Sequence, residues 1–262
     1  MTTPKPSPGR IAVVGTGIRP SRQLTPEARM EIDQADVLFH LLAEPTSRDW
    51  IDSIHSDARS LHHHYSPGKD RAFIYEAMVE EVLAEVRSGR RVCLTFYGHP
   101  GVFVTPSHEV IRRARAEGYE AMMLPGISAA DCLFADLGID PGDGWQGYEA
   151  TDFVFGRDCV DTTAHLVLWQ VGVTGEHRAA GEPTPAGLAA IKEKLVDLYG
   201  ADYEAVVYEA SPYPIGHAQI MHVPLGDLGK EMLTTSSTLF VPARRRPSVS
   251  RATLESVGFV TD

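Results

Sequence analysis

Four short apolar runs, at residues 10–14, 37–41, 92–96 and 119–124, are separated by segments whose apolar residues recur at helical spacing. Runs this short, rich in β-branched and aromatic residues, read as buried strands. Between the first two, Thr25-Pro26 supplies an N-cap followed by proline at the first helical position, with Ala28, Ile32 and Ala35 along one face. The stretch 75–87 places Met78, Val82 and Val86 on one side and stops at Gly89. Ser107 reads as the cap of a helix carrying Val110, Ile111 and Ala114 that ends at Gly118. Strand and helix in alternation predict a mainly parallel α/β sheet.

The second half is patterned differently. Pro125-Gly126-Ile127-Ser128-Ala129-Ala130 opens a further helix, and a domain boundary is placed there. Strands are expected at 165–170, 205–209, 219–223 and 238–241, with one helix after Thr184-Pro185 carrying Leu188, Ile191, Leu195 and Leu198. Residues 175–183 are polar and loop-like. Little helix separates the last strands, which favours a more mixed sheet. The expected organisation is a disordered leader at 1–9, an N-terminal α/β domain at 10–125, a C-terminal α/β domain at 126–242 and a tail at 243–262.

A net charge of −11 argues against nucleic acid as a partner, because phosphate binding draws on Lys and Arg. The Arg244-Arg245-Arg246 run reads as a solvated tail. No apolar run approaches a membrane span, and the Pro-rich start lacks a signal-peptide core. Cys93, Cys132 and Cys159 are odd in number and read as reduced core residues of a cytoplasmic protein.

Chemistry concentrates at a few places. Tyr97-Gly98-His99-Pro100-Gly101-Val102-Phe103 turns sharply at the carboxyl end of a buried strand, where open α/β sheets bind ligands. Gly15-Thr16-Gly17 follows the first strand, but Pro20 stands where a dinucleotide fingerprint needs its third glycine, so a nicotinamide cofactor does not fit. A tight turn accounts for that glycine pair equally well. His62-His63-His64 suggests a metal, yet neighbours in an extended segment point to opposite faces, and no carboxylate or cysteine stands at ligand spacing. No metal is expected. Arg71 and Tyr75 share a helix face if the helix begins near Asp70, with Tyr65 just upstream. A guanidinium beside a phenol lowers its pKa from about 10. On spacing alone, a surface cation–aromatic pair is the plainer reading.

Taken together, these motifs resemble the tetrapyrrole methylase superfamily: Val14-Gly15-Thr16-Gly17 with Leu24-Thr25, the turn at 98–101, and Pro125-Gly126-Ile127-Ser128. Within it, the chain is similar to the borosin peptide backbone α-N-methyltransferases. The resemblance rests on Tyr97 to Phe103, on the run from Leu124 to Leu137, on Tyr148-Glu149-Ala150-Thr151-Asp152-Phe153 and on Gln170-Val171-Gly172. It extends from about residue 10 to Pro242. It implies two α/β domains with S-adenosylmethionine in the cleft between them, converted to S-adenosylhomocysteine. The implied cofactor contacts are Tyr97, His99, Val102, Phe103, Ser128, Ala129, Gln170, Tyr208, Ala210, Ser237 and Thr238. The implied catalytic residues are Tyr65, Arg71 and Tyr75. Where fungal members carry a further tyrosine, this chain has His62. The tail at 243–262 has no Val/Ile/Gly-rich core repeat, which favours the split form acting on a separate precursor peptide. A homodimer, possible as a 2:2 complex with that peptide, is also implied. The alternatives are a tetrapyrrole (porphyrinoid) C-methyltransferase and an inactive module that binds the cofactor or a peptide.

Overall fold

A computed structural model describes residues 9–65, 70–156, 159–176, 184–213, 215–244 and 250–258. The described chain divides into two compact units. The first contains the chain up to Ile139 and takes back Ala210–Ala218; the second contains Asp140–Glu176, Gly181–Glu209 and Gln219–Asp262. The helix that opens at Ala129 thus counts with the first unit.

In the first unit, five parallel strands, β1 (Arg10–Gly15), β2 (Val37–Leu41), β3 (Ala58–Ser60), β4 (Arg91–Phe96) and β5 (Glu120–Met123), pair in the order β3-β2-β4-β1-β5. The helices are α1 (Pro20–Gln23), α2 (Pro26–Asp33), α3 (Pro45–Ile54), α4 (Arg71–Arg87), α5 (Thr105–Ala116) and α6 (Ala129–Leu137). Side chains alternate across a strand, so β1 sends Ile11 and Val13 to one face and Ala12 and Val14 to the other. Ile11 and Val13 pack with Met78, Val82 and Val86 of α4 and Val110 and Ala114 of α5. Ala12 and Val14 pack with Ala28 and Ile32 of α2 and Ile51 of α3. A sheet buried on both faces needs continuous apolar strands, which is why those runs were legible.

Local chemistry sets the helix starts. Thr25 Oγ1 accepts the Ala28 N–H at 3.1 Å, with Pro26 at the first helical position. Asp70 accepts the Ala72 N–H at 2.8 Å, so α4 begins at Arg71, one turn before the expected start at Tyr75. Ser107 is not the cap of α5. The helix starts at Thr105, and the buried Ser107 hydroxyl reaches the carbonyls of Pro100 and Val104 at 2.5 and 2.7 Å. In this unit the sequence reading missed α1, α3 and β3. Ala-Arg-Ser at the sheet's edge has no apolar alternation, and pairing with β2 alone makes it a strand.

The second unit has five strands, β6 (Trp145–Glu149), β7 (His165–Trp169), β8 (Glu204–Glu209), β9 (Gln219–Pro224) and β10 (Thr238–Val241), in the order β6-β7-β10-β8-β9. β6 and β7 run parallel, and the other pairs are antiparallel, the mixed sheet expected. Its helices are α7 (Ala150–Gly156), α8 (Pro185–Tyr199) and α9 (Arg251–Ser256). Phe153 of α7 and Ile191 and Leu195 of α8 pack on Leu166, Leu168, Val207 and Leu239.

All three cysteines are free, but only Cys93 is a core residue; Cys132 is partly buried, and Cys159 is exposed beyond α7. Within the basic run, Arg244 is anchored by its N–H to Thr162 at 2.7 Å, while Arg245 and Arg246 lie outside the described residues. Among the described residues, no helix is long and apolar enough to cross a membrane.

Candidate functional site

Parallel strands place their carboxyl ends, and the amino ends of the helices that follow, along one edge of the first sheet. In the order β3-β2-β4-β1-β5, the chain leaves β1 toward β2 and leaves β4 toward β5 on the other side. The connections therefore diverge between β1 and β4, the position where open α/β sheets form ligand crevices. Two of the sequence motifs meet there. Gly17 and Gly98 exchange backbone hydrogen bonds at 3.3 and 2.9 Å. Glycine at 15 serves close packing: a Cβ there would stand 2.1 Å from the Gly98 carbonyl oxygen. Gly126, arriving after β5, would bring a Cβ within 2.9 Å of the same oxygen. Three loops thus share one backbone knot, and the side chains beyond it face outward.

Those side chains are Tyr97, Val102 and Phe103, which stay 54%, 42% and 49% exposed despite their apolar character. Phe103 also holds φ at 55°, a left-handed backbone that costs a bulky residue roughly 1–3 kcal/mol. His99 turns inward, its Nδ1 accepting the Gly101 N–H at 2.9 Å. Ser128 caps α6 in a reciprocal box: Asp131 Oδ2 accepts both the Ser128 N–H and its hydroxyl at 2.7 Å. The Ser128 side chain is therefore committed to the cap, and Ala129 presents the first N–H groups of the helix. Ala210 lies on the segment that returns to this unit, where Arg19 Nε donates to the Ser211 carbonyl at 3.2 Å.

Tyr65, Arg71 and Tyr75 come together at the same edge. Tyr65 ends a 3₁₀ turn, Leu61–His64, that follows β3, and Arg71 and Tyr75 occupy the first turns of α4. The phenols of Tyr65 and Tyr75 are hydrogen-bonded to each other. A cavity of about 410 Å³ is lined by Arg71, Tyr75, Thr105, Glu109 and Arg113, among others. The electrostatics differ from the sequence expectation. Tyr65 is 38% exposed, but crowding of its hydroxyl pushes the phenol up to about 12, and Tyr75 adds to the rise. Arg71 pulls in the expected direction without overcoming burial.

The second unit gathers its own candidates along one edge of its sheet. Antiparallel pairing puts the end of β7, the start of β10 and the end of β8 side by side, with Thr238 opposite Tyr208. Gln170 follows β7 with φ at 59°, and the Val171 N–H donates to the Ser237 carbonyl at 3.1 Å. Among the described residues, Phe103 and Gln170 are the two non-glycine positions with positive φ. Both carry side chains on loops at sheet edges, the positions where strained backbone accompanies binding. The sequence reading missed Glu209, whose Oε1 accepts the hydroxyls of Thr234 and Ser237 at 2.6 and 2.5 Å.

The histidine run also differs from its expected form. It is a 3₁₀ turn rather than an extended segment, and α4 brings Glu81 to it. His62 turns away, its Nε2 donating to the Leu42 carbonyl at 2.7 Å.

Residues 10–229 match the family described as Tetrapyrrole (Corrin/Porphyrin) Methylases. The chain belongs to the tetrapyrrole methylase family. Solved tetrapyrrole methylases share the fold. Cobalt precorrin-4 methyltransferase aligns with a TM-score of 0.65 at 15% identity, covering 92% of this chain and 97% of that one. Uroporphyrin-III-C-methyltransferase from Thermus thermophilus aligns at 0.64 and 18%, covering 97% and 98%. Higher identity comes from fungal proteins. The methyltransferase/ribosomally synthesized cyclic peptide dendrothelin A precursor of Dendrothele bispora is 36% identical over 97% of this chain. The methyltransferase/ribosomally synthesized type I borosin cyclic peptide precursor of Coprinopsis marcescibilis is 36% identical over 97%. The corresponding omphalotin A precursor of Omphalotus olearius is 39% identical over 81%. The chain spans 62%, 68% and 52% of the lengths of these three proteins. Each of their names joins methyltransferase and peptide precursor in one protein, unlike the split form expected from sequence.

Proposed function

We propose that this tetrapyrrole methylase is an S-adenosylmethionine-dependent methyltransferase that α-N-methylates backbone amides of a ribosomally made precursor peptide, supplied as a separate chain. The observation that carries the peptide acceptor is the 36% identity over 97% of the chain to relatives named as methyltransferase and cyclic peptide precursor. The solved corrin and porphyrin enzymes, at 15–18%, share the fold alone.

The first unit's geometry fits the cofactor. Exposed Tyr97, Val102 and strained Phe103 offer an apolar surface to a flat ring at the switch point, beside side-chain-free backbone at Gly98. The proposed holders in this unit are Tyr97, His99, Val102, Phe103, Ser128, Ala129 and Ala210. The second unit's candidates are Gln170, Tyr208, Ser237 and Thr238. When bound, S-adenosylmethionine supplies a methyl group already activated on a sulfonium.

The chain's own task is the amide. Its nitrogen lone pair is delocalised into the carbonyl, so the N–H proton must leave as the new N–C bond forms. Tyr65, as phenolate, takes that proton. A phenolate whose conjugate acid lies near 12 is scarce but strong, which suits an acid as weak as an amide. Tyr75 donates a hydrogen bond to the carbonyl oxygen as negative charge grows there, and Arg71 supplies the compensating positive charge. The same reading carries a homodimer that binds two peptides.

Co-expression with the candidate precursor, followed by fragmentation mass spectrometry, tests the proposal. Methyl groups on backbone nitrogens of the peptide are expected. An unmodified peptide, with methylation of a tetrapyrrole precursor by the same protein, would overturn it.

A further inference from the structure

His63, His64 and Glu81 form a cluster apart from the tyrosine pair. Each offers one ligand atom, and the three atoms lie within 4.8 Å of one another. His63 Nε2 stands 3.0 Å and His64 Nε2 2.5 Å from the same carboxylate oxygen, Glu81 Oε2. The two ring centroids lie 4.1 Å apart with the rings tilted by 39°, and both Nε2 atoms reach the same carboxylate oxygen. The 3₁₀ turn makes this possible, because successive side chains there step around the axis instead of alternating.

The protons on these rings decide what the cluster wants. His63 Nδ1 lies 2.8 Å from the Ser60 carbonyl oxygen, which can only accept. Nδ1 therefore carries a hydrogen. In the neutral ring, Nε2 then points a lone pair at a carboxylate lone pair. That contact needs a cation between the two, either a proton or a metal ion. An imidazole N–H held by a backbone carbonyl is also how metal-bound histidines are oriented.

We propose that His63 Nε2, His64 Nε2 and a Glu81 carboxylate oxygen bind a divalent transition-metal ion of the zinc class. Two imidazoles and one carboxylate suit such an ion. Tetrahedral ligands on zinc stand about 3.3 Å apart. The His63–Glu81 pair is close to that, and the His64–Glu81 pair must open by less than about 1 Å. A cavity of about 400 Å³ lined by His63, His64, Phe73, Ile74 and Ala77 gives an entry path and room for a water as fourth ligand. The ion would tie the turn that ends at Tyr65 to the helix that carries Arg71 and Tyr75.

The test uses untagged full-length protein and needs no methylation assay, so its outcome stands apart from the proposed function. Zn(II) titration by calorimetry should give one site per chain, and Co(II) should develop visible bands of four-coordinate geometry. Glu81→Gln and His64→Ala should each weaken Zn(II) binding by more than about tenfold. Zn(II) should also raise the melting temperature of the wild type but not of Glu81→Gln, which keeps the side chain's size. Absence of stoichiometric binding, or binding that survives both substitutions, would overturn the proposal and leave the cluster as two histidines hydrogen-bonded to Glu81.

Discussion

If Tyr65 takes the amide proton, methylation must accelerate with pH throughout the neutral range. Burial and the Tyr75 hydrogen bond push the phenol up to about 12, against the smaller pull of Arg71. From that value, about one molecule in ten thousand carries the phenolate at about pH 8, and each further pH unit raises the fraction about tenfold. The logarithm of the single-turnover rate should therefore climb with a slope near one between about pH 7 and about pH 9. The assay mixes cofactor-loaded protein with precursor peptide, quenches at intervals and counts added methyl groups by mass. Tyr65→Phe should lower the rate by about 10²–10⁴-fold and leave cofactor affinity in calorimetry unchanged. Arg71→Met removes the charge that favours the phenolate, so the rate should fall at every pH while the slope persists. A flat single-turnover profile in the wild type, or Tyr65→Phe at the wild-type rate, would refute the base assignment.

Phe103→Gly releases the left-handed backbone at φ 55° and removes a half-exposed ring. Denaturant unfolding should show stability unchanged or higher by about 1 kcal/mol, while calorimetry shows weaker cofactor binding. Gly15→Ala pushes a methyl to 2.1 Å from the Gly98 carbonyl oxygen. The three loops must part, and a loss of about 1–3 kcal/mol in urea unfolding is expected. His40 is fully buried on β2, with Nε2 2.9 Å from Asp52 and Nδ1 without a hydrogen-bond partner. Burial lowers its pKa despite Asp52, so below about 6.5 the unfolded chain binds a proton that the folded chain refuses. Stability should fall as pH drops through that range, and His40→Gln should flatten this part of the profile.

The sequence by itself determined four of the first unit's five strands and the helices α2, α4, α5 and α6, but not α3, whose Ile51 belongs to the same core. A sheet covered on both faces demands unbroken apolar runs such as Ile11–Val14, and a cap such as Thr25 acts through a neighbour three residues away. Those signals are local, so they need no tertiary structure to be read. It also determined the family, because the 97–103 turn and the 124–137 run are long enough to be specific. Polar and edge elements, such as Ala58–Ser60, carry no such signal and exist through pairing with β2.

Tertiary structure decided the chemistry. Arg71 and Tyr65 could be placed together from sequence, but the sign of the Tyr65 shift depends on how crowded its hydroxyl is, and burial is a sum over distant elements. Glu81 lies seventeen residues from His64 in the chain and 2.5 Å from it in space. The helix α4, turning back along the sheet, closes that gap, and no pattern within the histidine run could announce it. The backbone strain at Phe103 and Gln170 is likewise set by the folds around them, since neither residue chooses a left-handed conformation for itself.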